Sequence, residues 1–332
     1  ARLEAAVVDG EFSFDKEKLG RVSEDKTAAE RYKEIALGMG GKELPLQGLK
    51  VVLDCANGCF SEIMPEVFAK LGADVTALSC TPDGTNINRD CGSQHIDAMT
   101  AKVRDCGAML GIAADGDGDR IIICDEKGNR VDGDQIIAFL GKYYKEHNRL
   151  KADTVVATIV SNPALDRFLE GIGVKCVRSA VGERYVIEEM KKCGSNIGGE
   201  ESGHMVVADY AKTGDTMMAA LVIAMGLLQS GKKMSEIFPL FTPMTRKRID
   251  SKFCGKDEML AAFELAAFQA EIKQGEADIA GKGRILVRKS GTEPKIQVWV
   301  WGDDVPLATA VSNRIASVLE KADGFESRKE VL

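Results

Sequence analysis

Short apolar runs alternate with amphipathic segments over residues 49–229. Apolar runs bounded by turn-forming residues are typical of buried strands, and apolar residues at helical spacing are typical of helices packed on a sheet. The alternation runs through 49–147 and begins again at 154. Because the same order of strands and helices occurs twice, the sequence predicts a duplicated α/β domain with mixed or parallel sheets.

The pattern changes after Pro239 and Pro243. Beyond them the sequence predicts a smaller α+β unit, with a strand at Thr245–Ile249, a helix at Lys256–Gln274 and a closing helix at Val305–Ala322. Residues before 41 are charged and compatible with helix, but they carry no complete fold signature. The predicted domains are 1–40 (the end of a preceding domain and a connecting helix), 41–148 (α/β), 149–243 (α/β) and 244–332 (α+β).

A run of three aspartates separated by glycines lies between the apolar runs Met109–Ala114 and Ile121–Cys124. Carboxylates so close together disfavour one another's ionisation unless a cation compensates their charge. Oxygen ligands suit a hard cation such as Mg²⁺ or Ca²⁺. A solvated acidic turn is the alternative, but strands on both sides hold this loop in place. The sequence therefore predicts a metal site at Asp115, Asp117 and Asp119.

An EF-hand would also place carboxylates at the first, third and fifth loop positions, and Glu126 falls at the twelfth. That loop needs glycine at its sixth position, where this chain has Arg120, and it needs helices on both sides. The sequence therefore excludes an EF-hand. Arg120 is a candidate to bridge the metal loop and a substrate, or simply to pair with one of the aspartates.

Two further loops carry clustered polar groups. Residues 198–204 combine glycines with carboxylates, a hydroxyl and an imidazole, which suits the hydroxyls of a polyol; a turn facing water is the alternative. Residues 288–294 combine an arginine, two hydroxyls and a glycine, which suits phosphate; a tight connection between strands is the alternative. Arg184 starts a predicted helix and is a weaker candidate for anion binding. The basic run Arg246–Arg248 is interpreted as a solvated strand face.

Composition narrows the classes of partner. The formal net charge is −7, which disfavours general nucleic-acid binding. No apolar run is long enough to span a membrane, and the first residues lack the apolar core of a signal peptide. Nine cysteines without a CxxC pair indicate reduced thiols. These features predict a cytoplasmic protein without a nucleic-acid or membrane partner.

Three motifs in this order, at 115–120, 199–204 and 288–294, resemble those of the α-D-phosphohexomutase family. Supporting stretches lie at 54–58 and 82–93. The likeness extends over essentially the whole chain and is greatest to bacterial members that act on glucosamine phosphates. It implies four domains around a cleft, of which this chain supplies the second, third and fourth.

The resemblance implies interconversion of glucosamine 6-phosphate and glucosamine 1-phosphate, through a phosphoserine and a bisphosphorylated sugar, for cell-wall precursor synthesis. The family's serine loop does not occur in this sequence, so we expect the first domain to be missing and the chain alone to be inactive. A homodimer is a further expectation. The implied site consists of Mg²⁺ at the three aspartates with Arg120 in support, sugar contacts at Glu200 and Ser202 with His204 and Arg184, and phosphate contacts at Arg288, Ser290, Gly291 and Thr292.

One departure bears on the substrate. Family members that act on glucosamine phosphates usually carry glutamine between the glutamate and serine of the sugar loop, whereas this chain has Glu201. A phosphomannomutase or phosphoglucomutase is therefore an alternative. Since the serine loop is missing, a non-catalytic protein that binds a phosphosugar and a metal is another.

Overall fold

The computed structural model describes residues 7–8, 10, 20–39, 45–290, 293–320 and 328–331. Helix α1 (Ala28–Gly38) leads into the first α/β unit. None of the helices in these residues combines the length and apolar character needed to cross a lipid bilayer.

The first unit comprises, in chain order, β1 (Lys50–Asp54), α2 (Ile63–Lys70), β2 (Asp74–Leu78), α3 (Asp97–Cys106), β3 (Leu110–Ala114), β4 (Ile121–Asp125), β5 (Arg130–Val131) and α4 (Gly133–Glu146). Its sheet has the order β2-β1-β3-β4-β5. The first three strands in that order are parallel, and β4 and β5 are antiparallel to their neighbours. Strands β3 and β4 are buried along their full length, as their continuous apolar sequences predict.

The second unit comprises β6 (Thr154–Thr158), α5 (Pro163–Gly171), β7 (Lys175–Ser179), α6 (Glu183–Cys193), β8 (Ile197–Gly199), β9 (Met205–Val207), α7 (Thr216–Ser230) and α8 (Met234–Ile237). Its sheet has the order β7-β6-β8-β9, with β6, β7 and β8 parallel and β9 antiparallel. This order repeats that of the first unit without its last strand. The predicted α/β class and the repetition of strand order are confirmed.

Helix α7 joins the two units because it is apolar around nearly its whole circumference. Every residue from Thr216 to Leu227 is buried. The helix packs against β3 and β4 of the first unit and against β9 of its own unit. It begins at the cap Asp215, whose side chain accepts a hydrogen bond from the backbone N–H of Met218, and it ends at Gly231 in the left-handed conformation. One hydrophobic core therefore runs through both units.

The C-terminal unit comprises β10 (Thr245–Lys252), α9 (Lys256–Phe263), α10 (Ala266–Ile279), β11 (Gly283–Lys289), β12 (Lys295–Gly302), α11 (Val305–Glu320) and β13 (Arg328–Val331). Its antiparallel sheet has the order β11-β12-β10-β13 and a core of its own. The single helix predicted over 256–274 is wrong, because Leu265 adopts ψ 126° and separates two helices. The side chain of Gln269 donates to the carbonyl of Phe263 across this break.

Candidate functional site

The site is built from two hairpins that lie side by side. Residues 115–120 connect β3 to β4, and residues 200–204 connect β8 to β9. The backbone N–H of Ile121 donates to the carbonyl of Gly203 at 2.9 Å, and Arg120 forms an antiparallel bridge with His204. Both hairpins follow the carboxyl ends of parallel strands, where open α/β sheets bind their ligands.

The first hairpin brings the three predicted metal ligands together. One carboxylate oxygen from each of Asp115, Asp117 and Asp119 lies within 4.8 Å of the others. Gly118 makes this turn possible, because its φ is +79° and a Cβ there would lie 2.4 Å from the ring of Phe60. The aspartates are therefore arranged so that all three can reach one cation.

Arg120 neutralises part of this charge. Its Nε lies 2.6 Å from Asp115 Oδ2, and its backbone N–H donates to Oδ1 of the same carboxylate. Burial lowers the pKa of the Arg120 guanidinium, but the two carboxylates of Asp115 and Asp119 outweigh burial and raise it. Asp119 Oδ1 is buried and accepts no hydrogen bond from any described residue. Arg120 Nε lies 3.5 Å from this oxygen as an ion-pair partner. A buried carboxylate oxygen that accepts no hydrogen bond, beside other oxygen ligands, fits a hard cation such as Mg²⁺.

His204 lies behind the metal loop. The ring is 4% exposed, with Nδ1 3.3 Å from Asp119 Oδ2 and Nε2 3.3 Å from Glu183 Oε1. Glu183 also accepts a hydrogen bond from the backbone of Gly214, where a Cβ would lie 2.2 Å from His204 Nε2. Glu183 is not among the predicted site residues, although its place in the first turn of a predicted helix beside Arg184 is a usable signal.

Glu200 and Ser202 form the exposed side of the second hairpin. Ser202 Oγ donates to Glu200 Oε2 at 3.3 Å, and the backbone N–H of Gly182 donates to Glu200 Oε1 at 2.8 Å. Ser202 is exposed and Glu200 is half-buried. The two predicted sugar ligands are thus adjacent, and their oxygen atoms border solvent.

Glu201 takes a different direction from Glu200. Its Oε1 lies 2.6 Å from Arg246 Nη1 in β10, and its carbonyl accepts from the backbone of Gly133. The Arg246 guanidinium lies over the ring of Trp299, 5.0 Å from its centroid. Arg246 is exposed, as the interpretation of the basic run on β10 as a solvated face predicts, and its ion pair also ties the second unit to the C-terminal sheet.

The phosphate loop lies in the C-terminal sheet. Arg288 is half-buried in β11, and the backbone N–H of Ser290 donates to the carbonyl of Lys295 at 2.9 Å. The backbone N–H of Glu293 donates to Ser290 Oγ. Arg184, on α6, has its Nε 2.8 Å from Glu188 on the same helix. The predicted residues Gly291 and Thr292 lie outside the described residues.

The amino end of α7 also faces the metal loop. The backbone N–H of Thr216 donates to the carbonyl of Gly118 at 3.0 Å. Tyr32 Oη donates to Asp215 Oδ1 at 2.8 Å, and burial followed by the charge of Asp215 raises the pKa of this tyrosine. The positive end of the helix dipole therefore favours negative charge on the loop.

Comparison with known proteins identifies the family. Three models described as phosphoglucomutase/phosphomannomutase match the chain: alpha/beta/alpha domain II at residues 32–128, alpha/beta/alpha domain III at 132–244 and the C-terminal domain at 250–318. A phosphoglucosamine mutase from Paramagnetospirillum magneticum is 44% identical over 308 residues, which cover 92% of this chain and 68% of that protein. The chain belongs to the α-D-phosphohexomutase family.

Solved structures agree with this membership at the level of the fold. A phosphoglucomutase/phosphomannomutase family protein from Burkholderia thailandensis matches with a TM-score of 0.77 at 18% identity, covering 98% of this chain and 70% of that one. The N-acetylphosphoglucosamine mutase of Aspergillus fumigatus, solved in complex with GlcNAc-6P and magnesium, matches with a TM-score of 0.68 at 18% identity, covering 90% of this chain and 66% of that one.

The predicted correspondence to domains two to four of the phosphohexomutases is confirmed, because these are the domains whose models match. The chain spans about two thirds of the length of the curated relatives it matches. The boundaries at residues 41, 149 and 244 and the roles of individual site residues stay predictions.

Proposed function

We propose that the protein containing this chain interconverts glucosamine 6-phosphate and glucosamine 1-phosphate. The observation that carries the proposal is the meeting of two hairpins, one with three convergent carboxylates and the other with Glu200 and Ser202. Relatives named phosphoglucosamine mutase, 43% to 44% identical over 92% of the chain, support the choice of substrate. The reaction would serve amino-sugar nucleotide and cell-wall precursor synthesis in the cytoplasm.

We assign the metal to Asp115, Asp117 and Asp119, with Mg²⁺ as the ion. When bound, Mg²⁺ would neutralise negative charge that develops on a transferred phosphoryl group. Arg120 holds Asp115 in place through two hydrogen bonds, and His204 lies against Asp119. These two residues keep the carboxylates oriented, which a catalytic metal requires of its surroundings.

The remaining assignments concern the sugar and its non-reacting phosphate. Glu200 would accept hydrogen bonds from sugar hydroxyls, and the Ser202 hydroxyl can both donate and accept. Arg288 and Ser290 would bind the phosphate, together with Gly291 and Thr292 and with Arg184 as a further contact. Binding at a remote phosphate orients the sugar without taking part in the chemical step. The phosphoryl donor would be a serine that is not in this sequence, so we expect the 332-residue chain alone to be inactive.

The test compares substrates on the full-length protein in the presence of Mg²⁺. We expect glucosamine phosphate to be converted with a higher kcat/KM than mannose or glucose phosphate, and Glu200→Gln to lower kcat/KM for all three. Glu146→Gln, at an exposed position on α4 where Glu146 pairs with Lys142, is the matched control and should behave as the wild type. A clear preference for mannose phosphate would contradict the proposed substrate.

Two alternatives remain distinguishable. A phosphomannomutase or phosphoglucomutase is favoured by Glu201 in the sugar loop, and the substrate comparison decides it. A non-catalytic phosphosugar-binding protein is favoured by the lack of the serine loop. If the full-length protein binds the sugar phosphate but converts none of the three, the binding function is correct. Turnover by residues 1–332 alone would instead contradict our account of the phosphoryl donor.

A further inference from the structure

Two cysteines meet where β1 and β2 end. Cys55 directly follows β1, and its backbone N–H donates to the carbonyl of Leu78 at 3.1 Å. The thiol of Cys80 donates to the same carbonyl oxygen at 3.2 Å. Ser79 has a φ of +52°, which turns the chain so that the side chain of Cys80 comes back towards β1. The backbone of Cys55 and the side chain of Cys80 thus meet at one oxygen atom.

The positions suit a disulfide. Neighbouring strands lie about 4.8 Å apart, and a disulfide joins residues whose Cα atoms are about 4.4 to 6.8 Å apart. The side chains of Cys55 and Cys80 already interact with each other. Asp54 and Leu78 are the last paired residues of β1 and β2, so Cys55 and Cys80 lie one and two residues beyond a paired end of adjacent strands.

The two thiols differ in their exposure and acidity. Cys55 is buried, whereas Cys80 is half-buried and can meet a small reagent. A hydrogen bond from the Cys55 thiol to the Cys80 sulfur lowers the pKa of Cys80, although burial opposes this, and the same contact raises the pKa of Cys55. A thiolate is the nucleophile in disulfide exchange. Cys80 is therefore suited to react first and Cys55 to react second.

We propose that Cys55 and Cys80 form a reversible dithiol–disulfide pair that reacts with low-molecular-weight disulfides. The Cys80 thiolate attacks one sulfur of the small disulfide, forms a mixed disulfide and releases one thiolate. Cys55 then loses its proton and attacks the Cys80 sulfur, which releases the second small thiol. Two protein thiols are oxidised, and one small disulfide is reduced to two thiols.

Neighbouring groups do not suggest a different use for these thiols. Cys91 Sγ accepts a hydrogen bond at 3.9 Å from the side chain of Asn57, which lies in the turn after β1. Among the described residues, only the group Asp115, Asp117 and Asp119 brings together enough ligand atoms for a metal. The cysteines are therefore placed for bonding to each other and not for holding an ion. This inference does not depend on the proposed mutase activity.

The test treats the reduced protein with oxidised glutathione, alkylates the remaining thiols and maps the peptides by mass spectrometry. We expect a Cys55–Cys80 cross-link, with two of the nine thiols lost. In Cys55→Ala a glutathione adduct should persist at Cys80, because the second thiol is missing. In Cys80→Ser neither product should form. Cys106→Ser, which changes a half-buried cysteine in α3, should behave as the wild type.

Three results would overturn the proposal. One is a stable glutathione adduct on Cys80 of the wild type, which would show that Cys55 cannot reach it. The second is a cross-link to another cysteine such as Cys91, and the third is no reaction at either residue. Because Cys80 is half-buried, Cys80→Ser keeps the test decisive even if Cys55→Ala, at a fully buried position, fails to fold.

Discussion

The β3–β4 hairpin and the β8–β9 hairpin occupy the same position in two sheets of the same strand order. In both, a parallel strand turns back on itself beyond the carboxyl end of its sheet, and a long helix follows. The first turn carries three carboxylates held by Arg120, whereas the second exposes Glu200 and Ser202 and buries His204. The duplicated scaffold thus fixes where the polar groups meet, and a few turn residues decide which ligand each copy suits.

The helices that follow the hairpins show the same contrast. Helix α4 is capped by Asp132 and α7 by Asp215, and each cap accepts a hydrogen bond from the backbone three residues on. Two residues after the cap, α4 buries the carboxyl group of Asp134 while α7 buries Met217. A buried acid two residues after the cap in one copy, and an apolar side chain there in the other, give these two positions different responses to pH. The cap Asp215 of α7 is itself a half-buried acid whose pKa burial raises.

The largest expected effect is at the glycines of the hairpins. Gly203 has a φ of +99°, and a Cβ there would lie 2.2 Å from the backbone oxygen of Ile121. Gly203→Ala should therefore lower the free energy of unfolding by about 3 kcal/mol, from left-handed strain plus overpacking. Gly118→Ala should cost about 2 kcal/mol, because the clash is with the side chain of Phe60.

Gly107→Ala is the matched control for this pair. Its φ is +66°, but no heavy atom of the described residues lies within 4 Å of the added Cβ. Only the backbone strain remains, about 1 kcal/mol. Urea unfolding of the three variants measures their free energies of unfolding and so gives the order of the three losses. A Gly203 variant as stable as the Gly107 variant would show that the two hairpins do not abut as described.

The next effect separates the two hairpins by ligand. Asp117 is exposed, so Asp117→Asn should fold normally but weaken Mg²⁺ binding by about 100-fold, because a charged ligand is lost. Glu200→Gln should leave Mg²⁺ affinity unchanged and weaken binding of the sugar phosphate. Asp105→Asn, at an exposed position on α3, is the control for charge alone. Isothermal titration measures both ligands. An equal loss of Mg²⁺ affinity in Asp117→Asn and Glu200→Gln would contradict the assignment of the metal to the first hairpin and of the sugar to the second.

These contrasts show what a sequence reveals and what it hides. The first hairpin and the polar loop after β8 were predictable, because apolar strands and glycine-rich polar turns are local patterns. The return strand β9 was not predicted, because it is only three residues long. The hydrogen bond between Tyr32 and Asp215 joins residues 183 positions apart, and no local sequence pattern predicts it. The same holds for Arg246, whose ion pair with Glu201 depends on how the C-terminal sheet meets the second unit.

The sequence did not predict that the helix at 256–274 is divided into α9 and α10, and the reason here is different. Neither glycine nor proline marks the break, and Leu265 itself is a good helix former. The chain leaves the helical conformation there because α9 and α10 must each place their apolar residues on one core, including Met259 and Phe268. Tertiary packing overrides local propensity at this point.

The third prediction uses the buried acid of the first unit. Burial raises the pKa of Asp134 from 3.8 to about 7. Between these values the native state holds a proton that the unfolded chain has lost, so stability falls as pH rises, by at most about 1.4 kcal/mol per pH unit. Asp134→Asn should make this slope shallower and leave the part due to Asp215, whose pKa burial also raises. Asp132→Asn, the same change at the helix cap, should retain most of the slope. Urea unfolding between pH 4.5 and 7.5 measures both variants, and a slope as steep in Asp134→Asn as in the wild type would contradict its assignment to Asp134.

The smallest effect concerns the link between the second hairpin and the C-terminal sheet. The side chains of Arg246 and Glu201 are 39% and 32% exposed, so their ion pair should contribute less than about 1 kcal/mol in a double-mutant cycle of Arg246→Gln and Glu201→Gln. The more informative measurement is substrate preference. Because Arg246 engages the Glu201 carboxylate, Glu201→Gln should leave the ratio of kcat/KM for glucosamine and mannose phosphates unchanged in the full-length protein. A shift of that ratio towards glucosamine phosphate in Glu201→Gln, absent in Arg246→Gln, would mean that Glu201 leaves its partner and contacts the sugar, and that both carboxylates of this hairpin select the substrate.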